Sequence, residues 1–80
     1  MNSYIVLFFA HAGAIKFQRF MRKAGIDCQL QPVPRCLSSS CGVCAQLEYG
    51  SDYQSLLDEE HILAIYRKTT DDYILLYSCE

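Results

Sequence analysis

The cysteines have the most chemistry to offer. There are five, Cys28, Cys36, Cys41, Cys44 and Cys79, and three of them crowd into one segment, Pro34-Arg35-Cys36-Leu37-Ser38-Ser39-Ser40-Cys41-Gly42-Val43-Cys44. A cysteine reacts through its thiolate, so its surroundings decide whether it is a nucleophile or a bystander. Around Cys41 they suit a nucleophile. The hydroxyls of Ser38, Ser39 and Ser40 and the amides of a bend can donate hydrogen bonds to a thiolate, and Arg35, following Pro34, adds positive potential. Gly42 has no side chain, so a substrate or partner can come close. Pro34, Arg35, Ser38, Ser39, Ser40 and Gly42 are therefore the expected binding and activating residues, with Cys41 and Cys44 as the reacting pair.

A blander reading weighs equally for Cys41 on local composition, because a free cysteine is often a small core residue. For Cys28 that reading wins: it alternates with Ile26 and Leu30 on the inward side of a strand. Cys79, next to the end, reads as exposed and incidental, and Cys36 fits either account.

Cys41 and Cys44 form a Cys-x-x-Cys. On an extended strand two residues three apart are roughly 10 Å apart and face opposite ways, whereas a disulfide needs Cα atoms within about 7 Å. A Cys41–Cys44 bond therefore requires the strand to start after Cys44 or the chain to bend tightly at Gly42. An exposed strand thiol at Cys44 is as apt a reading as a resolving cysteine. A metal site would recruit Cys36, Cys41 and Cys44 with His11 or His61 as a fourth ligand. It is the minor reading, since structural zinc sites show two paired ligand motifs and here there is one. His11, at a helix start, reads as a first-turn polar residue before it reads as a base. Glu48, Asp58, Glu59 and Glu60 read as solvated surface. There is no phosphate-binding glycine loop and no nucleophile elbow. No cofactor is expected.

The composition narrows the setting. The chain has 80 residues, 51% hydrophobic and 20% charged, with a formal net charge of -2, which suits one small globular domain over residues 1–80. Clustered positive charge, which nucleic acid requires, is missing; Lys16, Arg19, Arg22 and Lys23 have the spacing of a solvated helix face. The longest apolar run, Tyr4 to Ala10, is too short to span a membrane and lacks the flanks of a signal peptide. The expected location is the cytoplasm, where an odd set of thiols stays reduced.

The elements that must position the cysteines follow from periodicity. Tyr4 to Phe9 is a continuous apolar run, the signature of a central strand. Ala14, Phe17, Met21 and Ala24 recur at helical spacing, with Ile15 and Phe20 widening the stripe, which predicts a helix over about 11–24 closed by Gly25. Ile26, Cys28 and Leu30 alternate with polar residues until Pro32 and Pro34 end the strand. Alternation resumes at Val43, Ala45, Leu47 and Tyr49, sending Cys44, Gln46 and Glu48 to the other, partly exposed face. Ser51 or Asp52 starts a short second helix ending near Glu60. Ile62–Tyr66 and Tyr73–Tyr77 are strands joined by Thr69-Thr70-Asp71-Asp72 as a hairpin. The order is β-α-β-β-α-β plus one strand: an α+β, ferredoxin-like sandwich with two helices on one face of an antiparallel sheet.

With these residues in view, the chain resembles the selenium/sulfur carrier protein-like domain family. The resemblance rests on Tyr4 to Phe8, on Lys23-Ala24-Gly25-Ile26, on Pro32-Val33-Pro34-Arg35-Cys36-Leu37-Ser38-Ser39-Ser40-Cys41-Gly42 and on Ile65-Tyr66, with the stretch from Pro34 to Gly42 its specific part. It covers about Tyr4 to Lys68. It implies that Cys41 is the signature cysteine, holding sulfur or selenium as a persulfide or perselenide received from a donor such as a cysteine desulfurase-like enzyme. The chain departs from the pattern in Cys44, where a small apolar residue is usual, and in Cys36, which leaves room for a redox or metal variant. A partner-binding module with incidental cysteines is the alternative of a different class. Nucleic acid and membrane are not expected partners; an exposed sheet edge or face would support a homodimer.

Overall fold

A computed structural model of the chain describes residues 2–33, 37, 42–50 and 61–78. Its centre is the strand β1, Asn2–Phe8. Tyr4, Ile5, Val6, Leu7 and Phe8 are all buried, because apolar side chains alternate onto both faces of a strand that is covered on both. The helix α1, His11–Lys23, follows, and then β2 (Cys28–Pro32), β3 (Val43–Tyr49), β4 (Ile62–Lys68) and β5 (Tyr73–Ser78). The strands form one sheet in the order β2-β3-β1-β4-β5, and every neighbouring pair is antiparallel. The fold is α+β, with one helix among the described residues. The expected second helix falls in residues 51–60, outside the described residues.

Helix α1 buries Gly13, Ala14, Phe17 and Met21 against Tyr4, Val6, Phe8, Cys28, Ala45 and Leu47. Phe8 and Phe17 meet at a tilted angle with ring centroids 5.4 Å apart, a favoured aromatic geometry. The stripe is narrower than its spacing suggested. Ile15 is 46% exposed and Phe20 65%, and Ala24 is exposed too; these three flank the buried line without reaching the sheet. The helix ends as Gly25 requires. The Ile26 N–H donates to the Met21 carbonyl and the Gly25 N–H to that of Arg22, with Gly25 at φ 78. This paired closure is the Schellman arrangement, in which a left-handed glycine satisfies the last carbonyls. Ile26 then packs on the cluster that holds Met21, and the Gln18 side-chain amide donates to the Cys28 carbonyl at 3.2 Å, which ties α1 to β2.

At the other edge, the Thr69 N–H and hydroxyl donate to the Asp72 carbonyl, the Asp72 N–H donates back to the Thr69 hydroxyl, and the Tyr73 N–H reaches an Asp72 carboxylate oxygen. These bonds close the β4–β5 hairpin where the Thr-Thr-Asp-Asp run predicted a turn. The sheet face opposite α1 carries a second apolar cluster of Ile5, Leu7, Leu37, Cys44 and Ala64, with Val33, Leu63, Tyr66 and Tyr73 packed around it.

Candidate functional site

The cysteine-rich loop joins β2 to β3. Pro34, Arg35, Cys36, Ser38, Ser39, Ser40 and Cys41 lie outside the described residues, as does Cys79. The described residues supply the frame that carries this segment and the layer beneath it. The ladder pairs Pro32 with Val43 and runs one step further, the Val33 N–H donating to the Gly42 carbonyl at 3.3 Å. Pro32 is tolerated because it ends an edge strand. Gly42 has φ 76, a left-handed turn that a residue with a side chain adopts only at a cost. No described residue stands within 4 Å of where a Cβ would project from it. Strand β3 begins before Cys44, so the first of the two conditions for a Cys41–Cys44 bond is not met; Cys41 itself lies outside the described residues.

Leu37 is the one described residue between Val33 and Gly42, and it is 7% exposed. Among the described residues it is the one buried member of the second cluster that no strand supplies.

Beneath lies Cys44. It pairs with Leu7 on one side and Gln31 on the other and has no exposed surface. The expectation of an exposed thiol here is corrected: the alternation sends Cys44 away from the helix as predicted, but residues outside the strands cover that face at this point. Gln46 on the same face is half-buried and Glu48 is exposed, so the cover thins along β3. The Cys44 thiol donates to the Pro32 carbonyl at 3.7 Å. Burial pushes its pKa up, and a hydrogen bond from the Gln31 side chain pulls part of the way back. Removing a thiolate from water disfavours it, so Cys44 is a protonated thiol at neutral pH. Cys28 is buried on the helix side, as its alternation predicted. Burial, helped by the Asp27 carboxylate, pushes its thiol up to about 11. Neither is disulfide-bonded.

The register Leu7–Cys44 puts the entry to β3, and so Gly42, at the end of the sheet where α1 begins. That helix start is bare: Ala10 caps it with no side-chain hydrogen bond, and its first turn has no acidic residue. The Gly13 N–H donates to the Ala10 carbonyl at 3.1 Å, and the helix start carries the positive end of the helix dipole. His11 is exposed there. His61 lies beside it, its carbonyl accepting from the Phe9 N–H at 3.1 Å and its Cβ 3.1 Å from where a Cβ on Gly13 would stand. Among the described residues no three of His, Cys, Asp and Glu converge on a metal position; Cys36 and Cys41, on which the metal reading relied, fall outside them. No helix among the described residues is long and apolar enough to cross a membrane.

Sequence reasoning missed two participants. Gln31 is the acceptor-facing neighbour of Cys44, and its signal was its place two before Val33 on the same face. Leu37 is the loop anchor, and its signal was a lone large aliphatic residue in a serine-rich stretch. A groove of about 480 Å³ also went unforeseen, between Gly25–Asp27 and Glu48–Gly50. It lies at the far end of β3 from Gly42, about 20 Å away along the strand.

The model of the family described as Putative Se/S carrier protein-like matches residues 3–67, which takes in both the described frame and the whole cysteine loop. No curated protein and no solved structure matches the chain.

Proposed function

Because this chain belongs to the Se/S carrier protein-like family, we propose that it carries sulfur or selenium on Cys41. The observation that carries the reading is the family match across the loop. Three features support it. Gly42, next to Cys41 in sequence, takes the left-handed conformation, and no described residue crowds it. The loop joins the sheet at the end where α1 presents an uncapped, unacidic N-terminus, a setting that lowers thiol pKa values. Arg35 and the serines are within the same loop. The fold reading goes with it: β2-β3-β1-β4 is the strand order of a ferredoxin-like βαββαβ sandwich, with β5 added at the β4 edge and the second helix assigned to 51–60.

In the transfer, the Cys41 thiolate attacks the terminal sulfur of a persulfide on a donor protein such as a cysteine desulfurase-like enzyme. The new sulfur–sulfur bond forms on Cys41, and the donor cysteine leaves as its thiolate. Release uses Cys44: deprotonated, it attacks the Cys41 sulfur, a Cys41–Cys44 disulfide forms, the bond to the cargo breaks, and the cargo leaves as hydrosulfide or its selenium counterpart. Two electrons pass from the Cys44 thiolate to the cargo atom, and an external thiol resets the disulfide. The protein works in the cytoplasm, where such thiols are abundant.

Peptide mass spectrometry after incubation with a cysteine desulfurase and cysteine tests this. One added sulfur on the Cys41 peptide, absent in Cys41→Ser and retained in Cys44→Ser, is expected. No sulfur on Cys41, under conditions that load a known carrier, would overturn the reading.

A further inference from the structure

We infer that the outward face of α1 is a docking surface for an acidic partner protein, the donor that hands over the cargo. Naming that partner as the donor rests on the carrier reading; the surface and its preference for negative charge do not.

The helix gives its Gly13, Ala14, Phe17 and Met21 side to the core. On the other side Ala12, Lys16, Arg19 and Lys23 recur at intervals of four, three and four, which makes one line along a helix, and all four are exposed. Ile15 and Phe20 flank that line, one on each side, and both are exposed, as is Phe9 just before the helix. So three of the five large apolar side chains exposed among the described residues border one row of cations. The helix dipole accounts for basic residues in the last turn, Arg22 and Lys23, but not for Lys16 and Arg19 in the middle. Nor does the helix offer them a carboxylate at pairing distance in sequence: α1 holds four of the seven Lys and Arg of the chain and none of its nine Asp and Glu. A merely solvated face calls for the charges and not for an open phenylalanine beside them, whereas arginine with aromatic residues is the composition of protein interfaces.

Charge decides the kind of partner. Outside α1 the chain has three cations against nine carboxylates, so a basic helix lies on an acidic body, and the sequence pI is about 5.6. Nucleic acid and an anionic bilayer are extended fields of negative charge, which would repel that body while attracting the helix. A helix lying in a membrane surface also needs its apolar side free, and that side of α1 is in the core. A protein with a local acidic patch meets the helix alone. The helix is about 20 Å long, a contact on the scale of a brief hand-off complex, and opposite charges raise the rate at which such a complex forms. Helix α1 starts at the end of the sheet where Gly42 leads into β3, so a donor seated along it reaches the entry to that strand.

Two measurements with an acidic cysteine desulfurase as the probe test the surface: its affinity for the full chain, and the rate at which it loads sulfur on Cys41, read by peptide mass spectrometry. Inorganic polysulfide serves as a sulfur source that needs no docking. The double variant Lys16→Glu, Arg19→Glu should weaken binding and slow desulfurase loading by at least about tenfold, with polysulfide loading unchanged. Higher salt should bring the native chain towards the rate of the variant. Phe20→Gln, which leaves every charge in place, should weaken binding while keeping the salt dependence. All three substitutions are at exposed positions, so urea midpoints should match that of the native chain. No binding of the desulfurase to the native chain, or equal binding and loading in the native chain and the double variant, would overturn the inference. A parallel fall in polysulfide loading would overturn it too, since the face would then act on the thiol and not on the partner. Binding of the native chain to duplex DNA or to phosphatidylglycerol vesicles, lost in the double variant, would put a different polyanion on the helix and reject the protein partner. Charge-dependent binding with no sulfur on Cys41 from either source would sink the carrier reading and leave the surface standing; normal loading that ignores the variants would sink this inference alone.

Discussion

Cys28 and Cys44 show how burial decides what a thiol can do. Both are buried, on opposite faces of one sheet, and both have raised pKa values with desolvation as the first cause. For Cys28 the change is from 9.0 to about 11. Below pH 9.0 the thiol is protonated folded or unfolded and contributes no pH dependence. Above it the unfolded chain sheds the proton while the folded protein keeps it up to about 11, so stability falls as pH rises through that window. The loss attributable to Cys28 is roughly 2–3 kcal/mol, and Cys44 adds to it with the same sign. Urea titrations at pH 7, 9 and 10.5 should therefore show a steeper alkaline decline for the native chain than for Cys28→Ala; equal slopes would contradict the assignment. At Gly42 the cost is in the backbone. With φ 76 and open space around the missing Cβ, Gly42→Ala should lower stability by about 1–2 kcal/mol through the left-handed penalty alone, while Gly42→Asn, which tolerates that region better, should cost less. The sequence pointed to Cys28 as core, and its burial bears that out. The burial of Cys44 was not legible there, because period-two alternation says which face a residue takes and nothing about what lies over it.

Among the elements, α1 was legible in its start, its end and its central line, but not in its width. Ala14, Phe17 and Met21 form the buried line, and Gly25 closes the helix with the expected bonds. Ile15 and Phe20 were taken into the stripe by their hydrophobicity, yet they point off the sheet. A helix crossing β2, β3 and β1 buries only the side chains that point straight down. Two substitutions separate these positions. Phe17→Ala, which removes the partner of Phe8, should destabilise the fold by about 3–5 kcal/mol. Phe20→Gln should stay within about 0.5 kcal/mol of the native chain in the same urea titration. The strands were read more fully: β3 and the β4–β5 hairpin fall where alternation and the Thr69–Asp72 turn placed them. The order of the strands in the sheet needed the structure, because pairing between β1, β3 and β4 is a long-range property.

At the scale of the whole molecule, one sheet separates two apolar layers with different jobs. The layer under α1 joins the helix to β2, β3 and β1. The layer on the other face is smaller, and Leu37, the one described residue between Val33 and Gly42, is buried in it. Burial holds Cys44 as a protonated thiol, whereas the carrier reading proposed above requires the Cys41 thiol to be an accessible anion. The rate of alkylation of each cysteine as a function of pH reads those two states directly. The account predicts that Cys41 titrates with an apparent pKa well below the free-thiol value of about 8.5, while Cys44 and Cys28 stay unreactive until far higher pH. A Cys41 pKa at or above the free value, or Cys44 reacting before Cys41, would contradict it.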